Sequence, residues 1–114
     1  MAFPGTYNFN YYRGDTMSFI LNPKDAAGNA WDLSTYSAAF TIANNRGAGA
    51  TQYAATATID TINDLVTCTI TPVVGRSLIP GTAWVYDVQI TSGSTIYTIL
   101  TGTITSTDDI TGAV

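Results

Sequence analysis

The chain has no histidine and no glutamate; its eight acids are all aspartates, and beside them stand four cations and one cysteine. Histidine is the side chain whose ordinary charge change falls near neutral pH. Without it the usual proton shuttle, the usual activator of a Ser or Thr nucleophile and the commonest metal ligand are all missing. A lone Cys68 excludes a disulfide within the chain. The four cations, Arg13, Lys24, Arg46 and Arg76, are scattered along a chain of net charge -4, which repels phosphate backbones and argues against a nucleic-acid partner. No run of 18 or more apolar residues exists for a membrane helix, so no membrane partner is expected. The start, Met1-Ala2-Phe3-Pro4-Gly5, has neither a basic nor an apolar signal region, so the protein is expected to be made and folded in a cytosol or to travel without a cleavable signal.

Only 11% of residues are charged while 46% are hydrophobic, so Thr, Ser, Asn and Ala must finish the surface. Threonine is the commonest residue, and with seven Tyr, four Phe and two Trp it gives the composition of strands on a half-buried pleated surface. At 12.1 kDa, area scaling leaves roughly 6,000 Å² of folded surface against roughly 17,500 Å² for the extended chain, enough for one core without staples. No Pro-, Gly- or Ser-rich linker divides the sequence, and residues 1–114 are read as one domain.

Apolar residues alternate with period two: Tyr7, Phe9 and Tyr11, then Met17, Phe19 and Leu21, then Ala38, Phe40 and Ile42. The pattern recurs over Tyr53 to Ile59, Leu65 to Ile70, Trp84 to Ile90 and Ile96 to Thr105, which predicts about seven strands. Turn formers separate them: Arg13-Gly14-Asp15, Pro23 to Asn29, Asn44 to Gly49, Asp60 to Asp64, Pro80-Gly81 and Ser92-Gly93-Ser94. Asp32 to Tyr36 and Pro72 to Leu78 each have room for a single helical turn, the first capped by Asp32 or Ser34, and no longer helix is expected. The spacing predicts an all-β fold, an antiparallel two-sheet sandwich. Trp84 and Tyr86 share a face as the expected central aromatic pair, and Cys68 faces the core.

The order of turns and anchors resembles the Ig-like β-sandwich domain of tailed-bacteriophage virion proteins, as found in tail-fibre collar proteins and in the N-terminal domain of baseplate upper proteins. The first half of the match runs through Tyr12-Arg13-Gly14-Asp15-Thr16, the strand with Phe19 and Leu21, the hairpin Lys24-Asp25-Ala26-Ala27-Gly28-Asn29, and Trp31-Asp32-Leu33-Ser34-Thr35-Tyr36. The second half runs through Ile79-Pro80-Gly81, the strand Trp84-Val85-Tyr86-Asp87-Val88-Gln89-Ile90, Leu100-Thr101-Gly102-Thr103-Ile104-Thr105, and Asp109-Ile110-Thr111. Each matched position has a structural use: Gly14 and Gly28 suit turns of positive φ, Asp25 and Asp32 suit Asx turns, and Tyr86 fills a core. The resemblance implies an Ig-like fold and a structural role in the virion, in many copies, as a tail collar, baseplate or fibre-anchoring component made in the host cytoplasm. A chain ending at Val114, soon after the closing strand, favours a collar or decoration subunit over an adaptor with a long extension. Its partners are then copies of itself and other virion proteins.

Other chemistry has little to build on. Arg13-Gly14-Asp15 spells an integrin-binding tripeptide, yet Gly-Asp also simply makes the turn. Asp108-Asp109 is the one adjacent acid couple, but paired-carboxylate catalysis needs two acids about 5 to 9.5 Å apart, and neighbours in a strand point to opposite faces. Asp87 sits on the outward face of its strand, where a cross-strand cation would answer it. Asp60, Asn63 and Asp64, or Asp25 and Asn29, lack the spacing of a calcium loop and read as turns. No catalytic, metal or cofactor site is expected, and no enzyme. Capsid decoration is the alternative within the virion. Carbohydrate binding for host attachment is the alternative outside it, with Trp31 and the cluster Tyr7, Tyr11 and Tyr12 as the platform if exposed, though aromatic enrichment at subunit contacts explains the same residues.

Overall fold

The alternating segments become strands in a computed structural model that describes residues 5–24, 27–47, 49–108 and 110. In chain order they are β1 (Gly5–Thr6), β2 (Phe9–Tyr12), β3 (Met17–Leu21), β4 (Ser37–Ala43), β5 (Gln52–Asp60), β6 (Leu65–Ile70), the helical turn α1 (Pro72–Arg76), β7 (Trp84–Ser92) and β8 (Thr95–Thr107). The fold is all-β. One curled sheet runs β1-β8-β7-β4-β5-β6-β3, with β2 also on β8.

The curl comes from β5. Its first part pairs with β4, ending at Phe40 opposite Ala55, and its second part leaves that strand and pairs with β6 from Thr56 onward. Small residues, Ala54, Ala55, Thr56 and Ala57, occupy the crossing, where a strand that changes partners makes the corner between two layers. The result is sandwich-like: β3, β6 and the end of β5 lie over β4, β7 and β8, and one core fills the space between. Val66, Cys68 and Ile70 from one layer and Phe40, Ile42, Val88, Ile90 and Ile104 from the other are essentially inaccessible to water.

Pairing is antiparallel except at β8, where β1 and β2 run parallel to it. The expected strand over Tyr7, Phe9 and Tyr11 is therefore two, interrupted at Tyr7-Asn8 and docked beside the last strand of the chain. Between Val88 and Gln89 the register on β8 slips by one residue: Val88 faces Leu100 and Gln89 faces Thr98. The extra residue, Ile99, resets the alternation so that both Tyr97 and Leu100 point inward.

The helical turn starts where the sequence permits one. Thr71 accepts from the Val74 amide at 3.5 Å, Pro72 opens the turn, and the turn ends after five residues. The stretch over Asp32 to Tyr36 forms turns instead, with Asp32 Oδ1 accepting from Ser34 N at 3.0 Å and Tyr36 N donating to Leu33 O at 3.0 Å. Trp84 and Tyr86 share the buried face of β7, as the alternation predicts, and meet different partners across the core. Trp84 packs against Tyr53 and donates Nε1 to Ile79 O at 2.9 Å. Tyr86 is the centre of the ring cluster, 5.5 Å from Phe9, 5.5 Å from Phe40 and 6.3 Å from Phe19 between centroids.

Candidate functional site

Most of the described residues that the sequence singles out lie in turns or anchor the core. Gly14, Gly28 and Gly81 all adopt φ between 85° and 88°, the left-handed region that a side chain disfavours. Asp15 closes the first turn through its amide to Tyr12 O at 3.0 Å, while its backbone carbonyl accepts the Tyr11 hydroxyl at 2.5 Å. Leu33 is fully buried, Tyr36 half-buried against the core, and Phe19 reaches from β3 to Phe40, 5.5 Å away. Asp25, Asp109 and Thr111 lie outside the described residues.

Gly102 has the most specific job among these positions. It faces Tyr86 across β7 and β8, and a Cβ there would overlap the Tyr7 carbonyl. That carbonyl instead accepts the Tyr86 hydroxyl at 2.5 Å. Burial first, then the nearby Tyr7 and Cys68, push the Tyr86 phenol well above its ordinary range. The Cys68 thiol is pushed up to about 12 by burial, which makes it an inert core group.

Asp32, Asp60, Asp64 and Asp108 are engaged as structural acceptors. Asp60 accepts from the Ile62 and Asn63 amides at 2.9 and 3.2 Å and from the Asn63 side chain at 2.9 Å, and these bonds, the side-chain one foremost, hold its carboxyl below the usual range. Asp64, at φ 53°, accepts from Leu33 N at 3.1 Å. Hydrogen bonds from Ser34 lower Asp32 in the same way. Asp108 pairs with Arg13 at 3.3 Å. The Arg13 Nε also donates to Arg76 O at 2.8 Å, so the arginine of the Arg-Gly-Asp tripeptide is tied to the body of the protein. Among the described residues no three His, Cys or acid side chains come together as a metal site would require.

Asp87 lies in a shallow recess of about 280 Å³ on the outer face of the β4, β7 and β8 layer, bordered by Thr41, Arg46, Gln52 and Gln89. Its cross-strand neighbours are Thr41 and Thr101, and the expected cation comes from a loop: Arg46 donates to Gly102 O at 3.2 Å and acts on Asp87 electrostatically. Burial raises the Asp87 carboxyl, and Arg46 partly offsets this. One carboxylate beside a guanidinium, with no second acid in the recess, holds a charge in place and offers no acid–base couple.

The aromatic platform imagined for a sugar does not share one face. Tyr11 is buried, Tyr12 points away from it and is exposed, and Tyr7 lies tilted against Phe9 and edge-on to Phe19. Trp31 is half-buried and meets Tyr97 edge-on at 5.5 Å.

A broad surface of another character lies on the outside of the β3, β6 and β5 layer. Cross-strand pairing sets Ser18, Thr69 and Thr56 in one row and Ile20, Thr67 and Thr58 in the next, with no charge in either. Ile20 is 63% exposed. The Ser18 and Thr69 hydroxyls lie 3.0 Å apart. The T-x-T spacing in β5 and β6 signals this face in the sequence, but which rows align follows only from register.

No family model and no curated protein matches the sequence. Among solved structures, a DUF4784 family protein from Bacteroides caccae is similar over 87% of this chain, with a TM-score of 0.42 and 6% identity. This chain spans 22% of the length of that protein.

Proposed function

We propose that this chain is a non-enzymatic structural protein of a tailed-phage virion, built into the particle in multiple copies as a tail collar, baseplate or fibre-anchoring component. The observation that carries the reading is the uncharged hydroxyl face of Ser18, Ile20, Thr56, Thr58, Thr67 and Thr69 on a molecule of net charge -4. Copies of one like-charged protein repel one another, and they meet at least cost where no ion must be stripped of water. Depletion of charge is the compositional mark of an interface core, and hydroxyls there exchange water for hydrogen bonds across the contact. The resemblance of the turn and anchor residues to phage virion domains supplies the setting.

Capsid decoration uses the same kind of face and differs only in location. Immunolabelling of particles assembled while the chain is expressed tests the proposal. Label at the tail or neck supports it, label over the head moves the chain to decoration, and particles without label overturn the virion role. The sugar-binding alternative has less to stand on, since Tyr11 belongs to the core and Trp31 is half covered.

A further inference from the structure

We propose that two copies of this chain join edge to edge through β3, as antiparallel strands about a two-fold axis at Phe19. This names a contact that the assembly reading leaves open, and it rests on that reading only in requiring copies to meet.

The strand β3 ends its layer: it pairs with β6 on one side, and among the described residues no backbone hydrogen bond is made on the other. A sheet edge is ordinarily protected by a lysine, a proline, a bulge or a covering segment. Met17-Ser18-Phe19-Ile20-Leu21 has no charge and no proline, and its register against β6 runs through all five pairs without a slip. The opposite edge of the sheet is different. There the backbone breaks at Tyr7-Asn8, Tyr86 takes the Tyr7 carbonyl, Asn8 Oδ1 takes the Thr103 amide, and the Arg13–Asp108 ion pair follows the end of β2. That edge is interrupted within its strands, while the five residues of β3 run continuously and unpaired on their outer side.

Side chains of β3 are only partly covered. Met17, Phe19 and Leu21 point inward yet remain half-buried at the end of their layer, where Phe19 meets Tyr7, Phe9 and Phe40 and Leu21 borders a recess with Gly5, Ile99 and Leu100. With Phe19 on the axis, Met17 faces Leu21 of the partner subunit and Ser18 faces the partner's Ile20. The inner face gains apolar cover and the outer hydroxyl face continues from one copy into the next.

Charge selects the antiparallel sense. Asp15 precedes β3 and Lys24 follows it; both are exposed, and neither forms an ion pair among the described residues. Pairing about Phe19 sets the start of each β3 beside the end of the other, so the Asp15 flank of one copy approaches the Lys24 flank of its partner. The two-fold axis makes this attraction twice. A parallel pairing would set like charge against like at both ends, so the flanks reject it.

Sedimentation equilibrium over a wide concentration range, together with register-specific crosslinking, tests the proposal. The wild type is expected to form a reversible dimer, and Lys24→Asp to weaken it about 10-fold, since two attractions become two repulsions. The double variant Asp15→Lys/Lys24→Asp restores the dimer to within about 3-fold of wild type. Because both positions are exposed, neither change threatens the fold. Ser18→Cys and Ile20→Cys chains, mixed and oxidised, should give a disulfide-linked dimer that either variant alone gives at least about 5-fold less of, since only the mixed pair is directly opposed. A monomer at every concentration overturns the contact. A larger assembly indifferent to the charge variants and without the mixed disulfide also overturns it, while leaving the assembly reading standing. A β3 dimer from a chain absent from virions would do the reverse.

Discussion

Tyr86 and Gly102 are cross-strand partners, and because the glycine has no side chain the Tyr7 carbonyl settles over it and accepts the Tyr86 hydroxyl at 2.5 Å. The contact ties the docked N-terminal strands to the centre of the core. Tyr86→Phe leaves a part-buried carbonyl without its donor and should cost about 1–3 kcal/mol in denaturant unfolding. Gly102→Ala pushes the same carbonyl aside and should cost about 1–3 kcal/mol by crowding. Since both act on one contact, the double variant is expected to cost less than the sum of the two. Full additivity would show that the two residues work independently.

Alkaline pH should unfold the protein through Cys68. The folded thiol is held up to about 12, from an ordinary value of 9.0, by burial. The unfolded chain therefore releases its thiol proton first, so the stabilisation is fully present below about pH 9 and is lost as pH rises toward 12, at up to about 1.4 kcal/mol per pH unit. Tyr86, also shifted upward, adds to the loss above its ordinary value of 10.0. Unfolding midpoints between pH 8 and 10 check this: Cys68→Ala, although less stable overall from its cavity, should show a flatter decline across that interval.

Much of the fold was legible because period-two alternation is a local signal. Phe40 and Ile42, or Val66, Cys68 and Ile70, announce their inward face without reference to any other strand. Turn glycines such as Gly14 and Gly28 were legible for the same reason. What lies between distant residues was not. The parallel docking of β1 and β2 on β8 depends on Gly102 and Tyr7, 95 residues apart, and nothing near either one encodes it. Arg46 as the cation facing Asp87 is another such case, since it arrives from a loop and not from a neighbouring strand. The hydroxyl face was foreseeable as composition, but its rows required the register of three strands.

Asp87 should work against folding at neutral pH. Burial raises its carboxyl above the ordinary 3.8, so its favourable contribution is present when protonated, below that value, and is lost as pH rises through the folded pKa. Asp87→Asn is therefore expected to raise the urea midpoint at pH 7 and to leave it nearly unchanged at pH 3. Arg46→Gln removes the partial compensation and should lower the midpoint at pH 7 by more than it does in the Asp87→Asn background, where only the bond to Gly102 O is lost. A destabilising Asp87→Asn at pH 7 would show that the carboxylate makes a contact stronger than its burial cost.

The hydroxyl face separates stability from assembly. Thr58 is exposed at the β5 end of one uncharged row, so Thr58→Lys leaves the core untouched and should change unfolding free energy by no more than about 0.5 kcal/mol. Incorporation into particles is a different matter, because a lysine buried there must shed its water, and Asp60, two residues on in β5, is already held by the Ile62 and Asn63 amides and the Asn63 side chain. The variant should fold normally and fall to a small fraction of wild-type occupancy when both compete for the same particles. Thr58→Ser, which keeps the hydroxyl, should enter at close to wild-type levels. Equal occupancy of Thr58→Lys would place the contact on another face, since a neutral row that tolerates a charge is in contact with water.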